Sequence, residues 1–468
     1  MFKTISVPNG LLTAALSASL LFTVPAHAAF GAEAPAEASA PIQTAAVQTQ
    51  QALSEYGVFL QEKFQVSLSE TPTRGEFIAA VARSLNFTPE STTTVAFSDL
   101  SASSPFYASA AALYQRGILT STSVSADQPL SALQAAFIAV KAAGLTELAY
   151  SYPQSKVSQS LAPLALNVDD FVSLSAAQEI AAAKDAGLVD PELYGDLRLG
   201  ANASKRLAEQ LLGHVLETQG HYKHYIGQTS DPNIYAKLTD AYNTSDIIEA
   251  PELEKVVNTA LEQGLVTGYN LKDSRFSSNF VDSLSLTYGH SDLKHAIQLI
   301  GLLRSEGIEA KVQFEPKTSA FVHLIEWGQP TPSSTTRYQK LANGNYIALA
   351  KEYDIAFEFA STSDKAKFQP IVLQYAKKNS EDTSGLIAGS WWQPLYYSLT
   401  ELNDYDVITN NKISTAAGPY YAQSFSLNDK SDGIVAGFKQ IDPSVKVSTY
   451  KFWVDRPFHN YLTGDDFK

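Results

Sequence analysis

Cysteine is missing from all 468 residues of this chain. That excludes disulfides, thiolate metal sites and cysteine nucleophiles, so every core must be large enough to hold without covalent staples. Basic residues are in short supply: 34 Lys and Arg stand against 48 Asp and Glu, a net charge of −14. An acidic surface of that size argues against nucleic acid and anionic lipid as partners. It still allows an anionic polymer to sit in a local basic pocket. Long apolar runs are also missing, since nothing after Val24 reaches the ~18 residues that a membrane span needs.

What is present begins with an address. Lys3 supplies a positive first region, Leu11 to Val24 a mostly apolar one, and Pro25-Ala26-His27-Ala28 a small-residue cleavage site. This reads as a secretory signal peptide over residues 1–28, with Ala29 the first mature residue. The remaining 440 residues carry 33 basic and 48 acidic side chains, a net charge of −15 once Lys3 is gone. Export without cysteine fits the surface of a Gram-positive bacterium. Residues 29–45, AFGAEAPAEASAPIQTA, have few large apolar groups and read as a disordered leader.

A helix-period segment follows at 47–64, with Leu53, Val58, Leu60 and Phe64 as core candidates. The stretch Thr71 to Phe87 then predicts a helix that buries Phe77, Val81 and Leu85 and leaves Arg74, Glu76 and Arg83 nearer water. Thr73 is its N-cap and Glu76, three residues on, completes a capping box. The plan recurs. Phe97-Ser98-Asp99-Leu100 leads to a helix that stops at Gly117-Ile118, a glycine C-cap, and a loop with Asp127-Gln128-Pro129 precedes a helix over Ser131 to Ala143. A third copy starts at Val168-Asp169-Asp170-Phe171, stops a first helix at Gly187-Leu188 and begins its second at Ser204. The second-helix starts, Thr73, Ser131 and Ser204, are 58 and 73 residues apart, which marks an internal repeat of about 46–88, 96–145 and 167–217.

Thr73-Arg74-Gly75-Glu76-Phe77 resembles the TRAEF signature of bacterial S-layer homology domains, and the order FSDL, helix, GI, loop, QP, helix resembles that family's consensus. The resemblance implies a compact module of three units that binds secondary cell-wall polysaccharide, pyruvylated in some cases, without covalent attachment. By position it assigns glycan contact to Arg74 and Glu76 in repeat one and to Asp99 in repeat two. Phe106 stands where the family has tryptophan, and Arg206 supplies charge in repeat three in a shifted register. A planar guanidinium suits a ketal carboxylate through paired, charge-assisted hydrogen bonds, and a helix N-terminus adds its dipole. Without the resemblance, Arg74 reads as a solvated first-turn residue and Glu76 as a cap. Repeat two has Leu130-Ser131-Ala132-Leu133 at the signature position, with no arginine.

From Gly220 the text changes. Tyrosine becomes frequent, and strand-like segments are read at Lys311–Phe314, Phe321–Trp327, Tyr346–Leu349, Ile355–Ala360, Ile371–Tyr375, Tyr420–Leu427 and Val445–Val454. The expected fold class is therefore α+β and multidomain: an all-α three-repeat module over 46–218, then a mixed α+β domain over 219–468. Within the latter, Ala296 to Lys311 resembles the core helix and following strand of transglutaminase-like (papain-fold) proteins. That resemblance places the nucleophile at Ser291 or Asp292, with no cysteine there, and the histidine at His323, with Asp354 as an orienting acid. The residues alone read as an amphipathic helix packed on a strand. His290 and His295 are five apart and do not share a helical face, so no metal and no cofactor is expected. The doublets Trp391-Trp392, Tyr396-Tyr397 and Tyr420-Tyr421, with Trp453, serve either a β-rich core or a sugar-stacking surface.

The expectation is an exported, non-enzymatic surface protein that holds wall polysaccharide and could meet other surface proteins. A wall- or polysaccharide-modifying enzyme and a structural array-former are the alternatives.

Overall fold

The chain is described by a computed structural model over residues 54–90, 94–375, 395–416 and 418–464. The expected signal peptide, the leader, Leu53 and the Trp391-Trp392 doublet lie outside the described residues. The described residues all fall in one compact unit.

Eight helices come first: α1 (Glu55–Phe64), α2 (Arg74–Ser84), α3 (Tyr107–Gln115), α4 (Ala132–Ala142), α5 (Thr146–Tyr150), α6 (Gln154–Leu161), α7 (Leu174–Asp185) and α8 (Lys205–Thr218). Hydroxyl caps start the key ones. Thr73 and Ser131 head full capping boxes with Glu76 and Gln134, and Ser204 accepts from the Leu207 N–H. Gly117 and Gly187 end α3 and α7 at φ near +70°, the left-handed conformation that glycine adopts without strain. Phe77, Val81 and Leu85 of α2 are buried with Leu60 of α1 in one core shared by the three repeats, while Val58 and Phe64 pack at its edge.

The three second-helix starts are tied to one another by main chain. The Arg74 and Gly75 N–H groups donate to the carbonyls of Gln128 and Ala126, and Leu130 N–H donates back to Pro72. Ala132 N–H donates to Ala201 and Ala203 N–H to Leu130, and Lys205 N–H closes the circle on Glu70. Each repeat therefore receives the next one's loop in the same way, a cyclic arrangement of three.

Beyond residue 220 lie β1 (Gly227–Gln228), α9 (Ile234–Thr244), α10 (Pro251–Glu262), β2 (Gly268–Asp273), β3 (Ser285–His290), α11 (Leu293–Ser305), β4 (Ala310–His323), β5 (Thr336–Lys340) and β6 (Tyr346–Phe359). After them come α12 (Thr362–Tyr375), β7 (Leu395–Ser398), β8 (Asp406–Ser414), β9 (Tyr420–Ser426), α13 (Ser431–Ile441), β10 (Lys446–Val454) and α14 (Arg456–Thr463). Every pairing is antiparallel, in the order β4-β2-β9-β8-β10-β7-β3-β6, and β6 pairs back to β4 from Ala310↔Phe359 to His323↔Tyr346. The eight strands thus close into a barrel, with β1 and β5 as short additions.

The closed barrel overturns the expected all-α module followed by a mixed α+β domain. The helices and the barrel share one compact unit, and the seam between them is charged and apolar at once. Glu55 of α1 accepts from Lys223 at 2.8 Å and from Lys311 at 2.5 Å, Lys223 also donates to Glu358 at 2.6 Å, and Val281 is buried in the core of the helical repeats. Four expected strands belong to two long ones: Lys311–Phe314 and the start of Phe321–Trp327 lie in β4, and Tyr346–Leu349 and Ile355–Ala360 mark the two ends of β6. Ile371–Tyr375 lies in helix α12, where Val372 packs against the barrel wall.

The barrel is polar inside. Outward residues such as Tyr288, Phe314, Ile355 and Phe357 are covered by α9, α11 and α12, while Leu271, Leu349 and Ala422 lie under α10 and α13. The alternate positions turn inward and carry Lys272, Glu315, Lys317, Asp354, Lys412 and Gln423. The charges pair: Lys272 reaches Glu315 and Asp354, Lys317 reaches Asp354 at 2.8 Å, and Asp354 also accepts from the Tyr397 hydroxyl at 3.4 Å.

Candidate functional site

The strongest candidate site is a groove of about 360 Å³ among the three helical repeats. Arg74 and Ile78 of α2 form one wall, the loop after Ile118 another, and Phe137 and Lys141 of α4 face Glu179 of α7 across it. Lys141 is ion-paired with Glu179, and the Tyr150 hydroxyl donates to the same carboxylate at 2.8 Å. Arg74 is different. Its guanidinium has no hydrogen bond or ion pair among the described residues. Two aromatic side chains line the same groove, Phe137, whose ring carries the Lys141 ammonium 5.6 Å from its centre, and the half-exposed Tyr150. A free guanidinium in a groove with aromatic lining can hold an anionic group whose scaffold has flat, weakly polar surfaces.

The remaining residues assigned by resemblance do other work. Glu76 accepts from the Thr73 N–H at 2.8 Å and from Ser69 Oγ at 2.7 Å, so it is a cap. The Asp99 carboxylate accepts from the N–H groups of Val124 and Ser125 and from the hydroxyl of Ser123 at 2.7 Å. Those bonds hold it at about 2, and they shape the loop that walls the groove rather than leaving a free carboxylate. Phe106 lies against the backbone of Gly75 and belongs to the repeat core. Arg206 forms an exposed ion pair with Glu192 at 2.7 Å. The dipole expected to help Arg74 is also spent, because the first N–H groups of α2 donate to the neighbouring repeat's carbonyls. The structure therefore brings Arg74 together with Phe137, Lys141 and Tyr150, which sequence reading did not single out. Only the spacing of Phe137 and Lys141 on one face of α4 could have signalled them.

His323 and Asp354 are not brought together. His323 Nε2 meets the Gly328 carbonyl at 3.0 Å, its ring touches Trp327 and Tyr338, and no Ser, Asp or Glu among the described residues hydrogen-bonds it. Asp354 pairs with Glu315 in the sheet register, eight residues from His323 along β4, and its oxygens are taken by Lys272 and Lys317. Burial alone would raise the Asp354 carboxyl, but the two ammonium groups outweigh it and hold it at about 2. Asp292 caps α11 through the Lys294 N–H, and the Ser291 carbonyl accepts from Tyr242 at 3.2 Å. The His290 and His295 rings lie 4.3 Å apart, and burial lowers His290 to about 4. No group of three metal-ligating side chains occurs among the described residues. Tyr396 is buried in the barrel wall, whereas Tyr397 turns to the lumen and stacks on Phe452, so the two members of that doublet serve opposite faces of the sheet.

No helix among the described residues is long and apolar enough to cross a membrane. No family profile matches the chain, and no curated protein matches it.

Proposed function

We propose that this chain is an exported, non-enzymatic protein of the bacterial cell surface that holds cell-wall polysaccharide non-covalently in the groove at Arg74. The observation that carries the reading is the unpartnered guanidinium over an aromatic-edged groove, set in a cyclic arrangement of three similar units. The likeness of Thr73 to Phe77 to the S-layer homology signature and the signal-peptide pattern of residues 1–28 support the same reading. The glycan group that Arg74 grips is acidic, a carboxylate such as that of a pyruvate ketal, because a guanidinium matches that planar shape with two hydrogen bonds. Arg74 is the single free cation of its groove among the described residues, since Lys141 is already neutralised by Glu179. The anchor therefore has one charged grip, with Phe137 and Tyr150 supplying contact area.

The test is sedimentation of the mature protein with purified cell-wall sacculi. The wild type is expected to pellet with the walls, and Arg74→Ala to stay in solution with an unchanged melting temperature. A wild type that stays in solution, or an Arg74→Ala variant that pellets equally, overturns the reading.

A further inference from the structure

The barrel lumen holds a cavity of about 490 Å³, and all eight barrel strands contribute to its lining. An eight-stranded barrel is of the size that either fills with side chains or holds one small ligand. Here the filling is incomplete and chemically unbalanced. Lys272 is matched by Glu315 and Asp354, and Glu315 also accepts from the Ser278 N–H at 3.1 Å. Lys412 on β8 has no carboxylate. Its Nζ lies 4.0 Å above the centre of the Tyr421 ring and makes no hydrogen bond or ion pair among the described residues. The charged groups that bear on it from the strands around it are both cations, Lys272 of β2 and Lys446 of β10, and together with burial they push its ammonium down.

A second observation lies beside it. Gln423 of β9 stands directly across from Lys412 in the strand register and is 3 % exposed. Its Nε2 donates to the Tyr450 hydroxyl at 3.1 Å, but its Oε1 is buried without a partner and lines the same cavity. A buried acceptor left unmet is costly, so a group that donates a hydrogen bond there would be held firmly. The walls on either side are aromatic: Tyr421, Tyr450, and the Tyr397–Phe452 stack with its rings 4.1 Å apart.

We propose that the barrel lumen is a binding site for a sugar acid, with its carboxylate on Lys412, a ring hydroxyl donating to Gln423 Oε1, and its less polar face on the tyrosines. The three demands of the site select this chemistry together. The unpaired ammonium asks for an anion, the orphan amide oxygen for a hydrogen-bond donor within reach of that anion, and the aromatic walls for a flat, weakly polar surface. A bare anion satisfies only the first demand and a neutral sugar only the last two. The barrel wall has a gap in its pairing beside the cavity. β7 pairs with β10 only at Trp453 and Val454, so among the described residues β10 has no strand on that side from Lys446 to Phe452. The cavity is edged there by Thr287 of β3 and Trp453 of β10. This site is separate from the Arg74 groove, and the two stand or fall independently.

The experiment is calorimetric titration of the mature protein with D-glucuronate, D-glucose and inorganic phosphate. Glucuronate is expected to bind at one site per chain and at least tenfold more tightly than glucose or phosphate. Lys412→Gln is expected to weaken glucuronate about tenfold or more, the loss of one hydrogen bond to a charged group. Lys412→Arg keeps the charge and is expected to recover most of the affinity. Gln423→Glu places a carboxylate beside the ligand's own and is expected to abolish binding. Absence of glucuronate binding, equal binding of glucose or phosphate, or glucuronate affinity unchanged in Lys412→Gln and Gln423→Glu overturns the proposal. Thermal melts of each variant separate lost binding from lost folding.

Discussion

The Phe106 ring occupies the space that a side chain on residue 75 would need. A Cβ built on Gly75 would come within 2.6 Å of Phe106 Cδ2 and 2.8 Å of its Cγ and Cε2. Glycine inside a helix costs about 0.5–1 kcal/mol relative to alanine, so Gly75 is retained against its own propensity to admit that ring. In this chain the ring that crowds position 75 comes from the residue that caps the next unit's first helix, α3.

Gly75→Ala is therefore expected to destabilise the protein by about 1–3 kcal/mol, the usual cost of overpacking, although alanine is the better helix former. Phe106→Leu should leave a small void and be mildly destabilising by itself. Combined, the two changes should be less harmful than their sum, with a coupling of about 0.5–3 kcal/mol that shows the two sites share one space. Denaturant unfolding of the four proteins in the cycle measures it, and strictly additive effects would refute the steric account.

How far the fold could be read in the sequence depended on whether a residue's partners were close along the chain. Thr73 and Glu76 are three apart, so the cap, the helix and its buried face from Phe77 to Leu85 were all legible. Arg74 was legible as a candidate because its motif is local. The closure of the barrel was not, because Lys272, Glu315 and Asp354 meet only after β2, β4 and β6 have paired across intervals of about forty residues. Strand alternation could not supply the closure either. It shows which residues share a face but not whether the polar face meets water or a closed lumen. Tyr397 stacks on Phe452 and, with Gln423, lines the cavity. Lys412 gave no signal at all, since a lone lysine in a strand is ordinarily a solvated one.

Asp354 links two buried lysines, so removing its charge leaves each with one carboxylate, Lys272 with Glu315 and Lys317 with Glu352. Asp354→Asn is expected to cost about 3–5 kcal/mol, the range for breaking a buried pair from one side. The same carboxyl sets an acid limit. Its folded value of about 2 lies below its ordinary 3.8, so the unfolded chain takes up the proton first as pH falls. The stability it supplies is complete above about pH 4 and is lost as pH drops through 2. Glu55, held at about 2 by Lys223 and Lys311 against the effect of burial, shares this window at the seam between helices and barrel. Unfolding followed by circular dichroism should show stability declining below pH 4, with a shallower decline in Asp354→Asn. A variant that keeps the wild-type slope would mean that this carboxyl is not the group being titrated.

Lys365 sets the opposite limit. Its ammonium is buried and donates to the hydroxyls of Ser398 and Thr400, each at 2.9 Å, and to the carbonyls of Asp282 and Ser283 at 3.1 and 3.3 Å, with no carboxylate in contact among the described residues. Burial lowers it to about 8, with Asp282 and Glu62 opposing the shift from a distance. Between about pH 8 and its ordinary 10.5 the unfolded chain therefore binds the proton that the folded chain has released, and stability rises with pH across that window. Ionisation of unfolded tyrosines near pH 10 works against the rise, so the comparison belongs at pH 7.5 and 9.5. The wild type is expected to gain stability between these two values. Lys365→Met should be less stable at pH 7.5 by about 1–3 kcal/mol, because it orphans buried acceptors, and it should gain nothing by pH 9.5. Urea unfolding at the two pH values decides the matter. An equal change with pH in wild type and variant would assign the titration to another group.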